Sequence, residues 1–190
     1  MELPELLDRC RQGDDLAWEA LVRGYQGRVY GVAMHYVRNP EEARDLAQEV
    51  FVRVYRKLGT FRGHETFLAW LIRLTRNLCI DQLRRVKARP PAEDVVLDEG
   101  PEVADTRPTP EAATATESAK RLVHRALKRL SDPYREMILL KDIQGLRLDE
   151  IATMLDLPLG TVKSRSNRAR IELARAVMEI DPSRGTGAAA

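Results

Sequence analysis

Between Pro90 and Ser118 the chain reads PPAEDVVLDEGPEVADTRPTPEAATATES, and this stretch limits the fold more than any other. Prolines 90, 91, 101, 108 and 110 each remove a backbone donor and clash with a preceding helical turn. Glu93, Asp94, Asp98, Glu99, Glu102, Asp105, Glu111 and Glu117 face one base, Arg107. Such a segment cannot bury enough apolar surface to offset the entropy of ordering it. It predicts an acidic, flexible linker over 90–117, separating a domain at 1–89 from one at 118–180. The tail 181–190, DPSRGTGAAA, is a second segment of low order.

Both flanks carry helical periodicity. Leu16, Ala20, Leu21, Val29, Val32, Ala33 and Tyr36 recur at the spacing of one helix face. Asn39-Pro40 interrupts, and Pro40, Glu41 and Glu42 suit a first helical turn. Ala43, Leu46, Ala47, Val50, Val54 and Leu58 then line one side of a second helix, leaving Asp45, Gln48, Glu49, Arg53 and Arg56 largely off it. A loop with two glycines follows, and then a helix with Phe67, Leu71, Leu74 and Leu78 inward, ending at Arg84, Arg85, Lys87 and Arg89. Past the linker, Leu122, Ala126 and Leu130 align. Residues 131–133, SDP, read as a cap with proline in the first turn, and Gly145 is placed to end that helix. The fold class is all-α: two small helical domains joined by a flexible acidic linker.

The formal charge of +2 identifies no partner, so any nucleic-acid footprint must come from segregated bases. Cys10 and Cys79 lie far apart, and His35, His64 and His124 are scattered, which argues against a disulfide framework or a metal site and fits a reducing cytoplasm. The acidic start MELPELLDRC has no basic, apolar leader and predicts neither a signal peptide nor a membrane span.

The chemistry is concentrated in LDEIATMLDLPLGTVKSRSNRARIELARAV. Leu148, Ile151, Ala152 and Leu155 form one apolar face. Residues 156–160 read as a tight turn, with Pro158 blocking the helix, Gly160 permitting the bend, and Thr161 as a candidate cap whose helix offers free N–H groups to a phosphate. At about 100° per residue, Val162, Ala169, Leu173, Ala176 and Val177 fall on an inward stripe. Lys163, Ser164, Asn167 and Arg168 fall opposite, with Arg175 further on, and Arg165 and Arg170 flank the stripe. Lysine and arginine donate to guanine edges or phosphates, and asparagine pairs with adenine. A solvated surface helix would carry charges too, but the two-helix unit and its turn chemistry favour a DNA-binding helix-turn-helix. The motif leaves open what kind of DNA-binding protein this is. A self-sufficient repressor or activator with an N-terminal ligand or dimer domain remains one reading. An enzyme is disfavoured, because no nucleophile-base arrangement or phosphate loop appears.

Three ordered segments, RDLAQEVFVRVYRKL, FRGHETFLAWLIRLTRNLCIDQLRR and GLRLDEIATMLDLPLGTVKSRSNRARIEL, resemble the extracytoplasmic-function (ECF) sigma factors of bacterial RNA polymerase. The resemblance runs from Leu16 to Val177. It implies a transcription initiation factor without catalytic activity or cofactor. Its partners would be core RNA polymerase (through the clamp coiled coil and the flap), promoter DNA and an anti-sigma factor. It implies polymerase docking by Asp45, Gln48, Glu49 and Arg53. Recognition and melting of the −10 element would fall to Phe61, Arg62, Gly63, His64, Arg73, Arg76, Asn77, Arg84 and Arg85, and −35 recognition to Lys141, Thr161, Lys163, Ser164, Arg165, Asn167 and Arg168. Trp70 matches a family tryptophan, although its spacing with Phe67 and Leu71 places it in the core. Ser166-Asn167 departs from the family's apolar or aromatic pair. It predicts looser packing of the reader helix at Ser166 and an altered base preference through Asn167. The protein would be cytoplasmic, at the nucleoid when active, or held at the membrane by an anti-sigma factor.

Overall fold

The computed structural model describes residues 2–63, 66–88 and 110–182, with 110–117 as backbone alone. The described residues contain no strand. The chain divides into two units, Met1–Glu102 and Val103–Ala190.

In the first unit, α1 (Leu3–Arg11) and α2 (Asp15–Val37) are joined by a short connection that side chains tie down. The Asp14 carboxylate caps α2 by accepting from the Leu16 and Ala17 N–H groups at 3.0 and 3.1 Å. It also meets the Arg9 guanidinium at 2.6 Å, and the Trp18 indole donates to the Cys10 carbonyl at 3.0 Å. α2 ends at Arg38 in the left-handed conformation. Asn39 then caps α3 (Pro40–Lys57), its Oδ1 accepting from the Glu41 and Glu42 N–H groups. A 3₁₀ turn, Leu58–Thr60, leads to the loop before α4 (Phe67–Ala88).

The core of this unit gathers Leu21, Val29 and Ala33 of α2, Ala43, Leu46, Val50 and Val54 of α3, and Phe67, Trp70, Leu71 and Leu78 of α4, with Leu7 and Cys10 of α1. One expectation fails at the start of α2. Leu16 is 72% exposed, and Ala17 lies inward in its place. The packed side of this part of α2 is set by Ala17 and Leu21, and at about 100° per residue that turns Leu16 and Ala20 outward.

In the second unit, α5 (Pro110–Arg129) begins ahead of Ser118, where the linker was expected to end. Pro110 sits in its first turn, where a missing N–H costs nothing. The rest of the predicted linker, residues 90–109, lies outside the described residues, as do Arg89 and the tail from 183. Leu122, Ala126 and Leu130 of α5 are buried as their spacing predicts. Arg135 of α6 (Asp132–Ile138) closes the C-terminus of α5, donating to the carbonyls of Leu127, Lys128 and Leu130 at 2.8, 3.1 and 2.7 Å. Carbonyls at a helix end lack their full set of helical partners, and a guanidinium fork suits them. Ser131 takes the cap position of α6, but its side chain makes no cap bond.

α6 runs into a π turn, Leu139–Ile143, closed by Gln144 N–H to Leu139 C=O at 2.8 Å, and Gly145 leaves it at φ 76°. α7 (Leu148–Leu155) and α8 (Leu159–Ile180) complete the unit. Met137, Ile138, Leu140, Leu146, Ile151, Val162 and Ala169 are all almost fully buried.

Candidate nucleic-acid interface

The α7–α8 connection is tighter than its sequence suggests. α7 stops at Leu155, Asp156 takes the left-handed conformation at φ 53°, and the Leu157 N–H returns to the Ala152 carbonyl at 3.0 Å. An aspartate tolerates this region because its short polar side chain can bond locally. The bend therefore falls at Asp156 and not at Gly160, which already belongs to the first turn of α8. Thr161 is likewise inside the helix instead of capping it. Pro158 holds the cap position, and its carbonyl accepts the Val162 N–H at 3.1 Å.

α8 buries Val162, Ser166, Ala169 and Ala176. Ser166 is 7% exposed, so the inward row carries a hydroxyl where a methyl-rich side chain would pack. The other side leaves Lys163, Ser164, Asn167 and Arg168 exposed, with Thr161 and Arg165 half-buried. The Ser164 hydroxyl donates back to the Thr161 carbonyl at 3.0 Å. Lys141, in the π turn, is half-buried and directs its ammonium to the Leu146 carbonyl at 3.4 Å. Asp142 beside it accepts both Nε and Nη2 of Arg170, at 3.0 and 2.5 Å, which raises the Arg170 pKa above its ordinary value. Sequence reading alone missed this cross-element pair, because its members are 28 positions apart.

The first unit assembles two further sets. On α4, Arg73, Asn77 and Arg84 fall in one row at helical spacing, with Arg76 beside it and Arg85 further round. Arg73 and Arg76 are half-buried, whereas Asn77, Arg84 and Arg85 are exposed. Ahead of the helix, Arg62 and Gly63 are exposed, with Gly63 at φ 74°; His64 lies outside the described residues. Phe61 is half-buried in an aromatic cluster, 5.4 Å from the Trp70 ring and 5.8 Å from Phe67. Trp70 itself is 6% exposed. On α3, Asp45, Gln48 and Glu49 are exposed, and Arg53 pairs with Glu49 at 2.7 Å. No group of three or more His, Cys, Asp or Glu placed to hold a metal occurs among the described residues, and none of their helices is long and apolar enough to cross a membrane.

A helix-turn-helix with a cationic outer face defines a class, the DNA-binding helical proteins. Comparison with known proteins narrows it. Residues 21–89 match the family Sigma-70 region 2, and residues 120–173 match Sigma-70, region 4. The RNA polymerase sigma-H factor of Pseudomonas aeruginosa is 34% identical over 181 residues, covering 93% of this chain and 94% of that protein. The ECF RNA polymerase sigma-E factor of Escherichia coli is 34% identical over 171 residues, covering 87% and 88%. Among solved structures, CnrH in complex with the cytosolic domain of CnrY is similar with a TM-score of 0.62 at 26% identity, covering 93% of this chain and 96% of that one.

The chain belongs to the sigma-70 family of RNA polymerase sigma factors, in its extracytoplasmic-function group. Its function is promoter-specific initiation of transcription, with core RNA polymerase and promoter DNA as partners.

Proposed function

We propose that the two units divide promoter recognition between them. The second unit, from α5 through α8, reads the −35 element. α8 lies in the major groove with Lys163, Ser164, Arg165, Asn167 and Arg168 toward the bases and phosphates, while Thr161 and Lys141 hold the backbone. The first unit docks on the polymerase clamp coiled coil through Asp45, Gln48, Glu49 and Arg53. It recognises and melts the −10 element through residues 61–64 and the α4 row of Arg73, Arg76, Asn77, Arg84 and Arg85. A base leaving the stack costs a few kcal/mol, offset by stacking and edge contacts on the protein.

The observation that carries this reading is the two-sidedness of α8. Val162 and Ala169 are fully buried, while Lys163, Ser164, Asn167 and Arg168 between them are exposed and Arg165 is half-buried. The chain contributes binding and positioning, and the polymerase contributes the chemistry. It acts in the cytoplasm, and an anti-sigma factor holds it inactive by covering these same faces. The solved sigma factor RpoE of Bartonella quintana, in complex with the anti-sigma factor NepR, shares this fold at 22% identity.

The test is transcription from a promoter library with purified core polymerase. Replacing Lys163 and Arg168 with Gln is expected to erase −35 discrimination while leaving polymerase binding intact, and replacing Asn77 and Arg84 to impair open-complex formation. Unchanged −35 discrimination in the first variant would remove α8 from the reader role.

A further inference from the structure

The Asp142–Arg170 pair does something the reading above does not use. Lys163 and Arg170 are seven residues apart on α8, so at 100° per residue their side chains leave the helix within about 20° of each other, roughly 10 Å apart along the axis. Asn167 lies between them. A phosphate-contacting row that begins at Lys163 would naturally continue to Arg170. The structure gives Arg170 another partner. Its guanidinium donates through Nε and Nη2 to one oxygen of Asp142, which the π turn brings alongside α8. Arg170 remains 57% exposed and Asp142 30% exposed, so the pair stands at the edge of the reader face and not beneath it.

Such a pair adds little to stability, because both charges keep much of their water. What it changes is direction and local charge. Lys141, next to Asp142, is directed elsewhere, to the Leu146 carbonyl at 3.4 Å, so Arg170 is the partner of Asp142 in this pair. Resting on the assignment of α8 as the reader helix, we propose that Asp142 is a specificity-determining residue, holding Arg170 off the DNA backbone so that the reader face grips phosphates less and depends more on base contacts. Phosphate contacts supply sequence-independent affinity, and base contacts supply discrimination. A cation removed from the first set lowers non-specific binding without touching the second.

The test is the salt dependence of binding by the full chain to a short random-sequence duplex, followed by fluorescence anisotropy and repeated with a −35-bearing duplex. Asp142→Asn frees Arg170. The expected result is tighter binding to random DNA, a log–log salt slope steeper by roughly 0.9, the value for one added phosphate contact, and a smaller ratio of specific to non-specific affinity. The double variant Asp142→Asn with Arg170→Gln, which removes the pair without leaving either charge alone, is expected to keep the native slope and random-duplex affinity.

A slope that falls by about one contact in the double variant would show that Arg170 grips DNA in the native chain and would overturn the proposal. An unchanged slope in a folded Asp142→Asn would overturn it equally. Lys163→Gln separates this from the broader reading. If that variant also leaves DNA affinity unchanged, α8 is not the reader. If it weakens binding while Asp142→Asn does nothing, only the role of Asp142 fails.

Discussion

If α8 reads the −35 element as proposed, Asn167 is the side chain through which base reading separates from charge. It is exposed, neutral, and one position from the Arg168 cation. A bidentate contact from asparagine to adenine is worth about 1–3 kcal/mol of discrimination. Asn167→Ala should therefore flatten preference at one position of the −35 element, read by sequencing transcripts from a randomised promoter library, while the salt slope of binding stays as it was. Cys79 gives a second residue-scale test. It is fully buried in the first unit, and burial pushes its thiol up to about 12. The thiolate is the reactive form, so at about pH 8 Cys79 should resist alkylation in the folded chain and react only when the unit opens. Rapid labelling without denaturant, measured by mass spectrometry, would show that the core there is not closed. The exposed placement of Lys163 was legible in the sequence because helical phase alone sets which side of α8 it occupies. Gly160 and Thr161 were misread for the opposite reason. The left-handed position depends on where α7 stops, and Asp156 takes it when Leu157 bonds back to Ala152.

At the scale of the element, α2 holds an oddity. Gly24, Gly27 and Gly31 all lie within it, and an added Cβ at each would meet nothing within 4 Å. Glycine in an exposed helix interior costs about 1 kcal/mol relative to alanine. Gly27→Ala should therefore raise the stability of the chain by about 0.5–1 kcal/mol, seen as a higher denaturant midpoint with an unchanged slope. A loss of stability would mean that the helix is tighter there than its surroundings indicate. The α3 cap offers the converse. Asn39→Ala removes the acceptor for the Glu41 and Glu42 N–H groups and should lower stability by about 1 kcal/mol, measured in the same denaturation experiment. Helices were readable wherever one stripe of apolar residues packs against one surface, as on α3. α2 was harder, since it packs on α1, α3 and α4 together and its apolar residues spread round the barrel of the helix. The π turn at Leu139–Ile143 had no sequence signature.

For the whole molecule, the break between the units was the most legible feature, because prolines and acids exclude a core over any window that contains them. Where the second unit starts was less legible, since a proline that terminates one helix can equally begin another, as Pro110 does. The covalent connection across residues 89–109 then has a consequence that each unit alone lacks. A covalent link of this length makes the second binding event intramolecular, at an effective concentration of roughly the millimolar range. Each half-site can accordingly be weak. A protease site inserted between Arg89 and Pro110 tests this in the complete chain. Cleavage before mixing with core polymerase should lower promoter-directed initiation at micromolar protein by roughly 10²-fold or more, and raising the concentration of both halves should restore it. Cleavage after the promoter complex has formed should have a much smaller effect, because both units are already seated. Full activity after early cleavage would mean that one unit carries recognition by itself. The effective-concentration argument would then fail even though both sequence families remain in the chain.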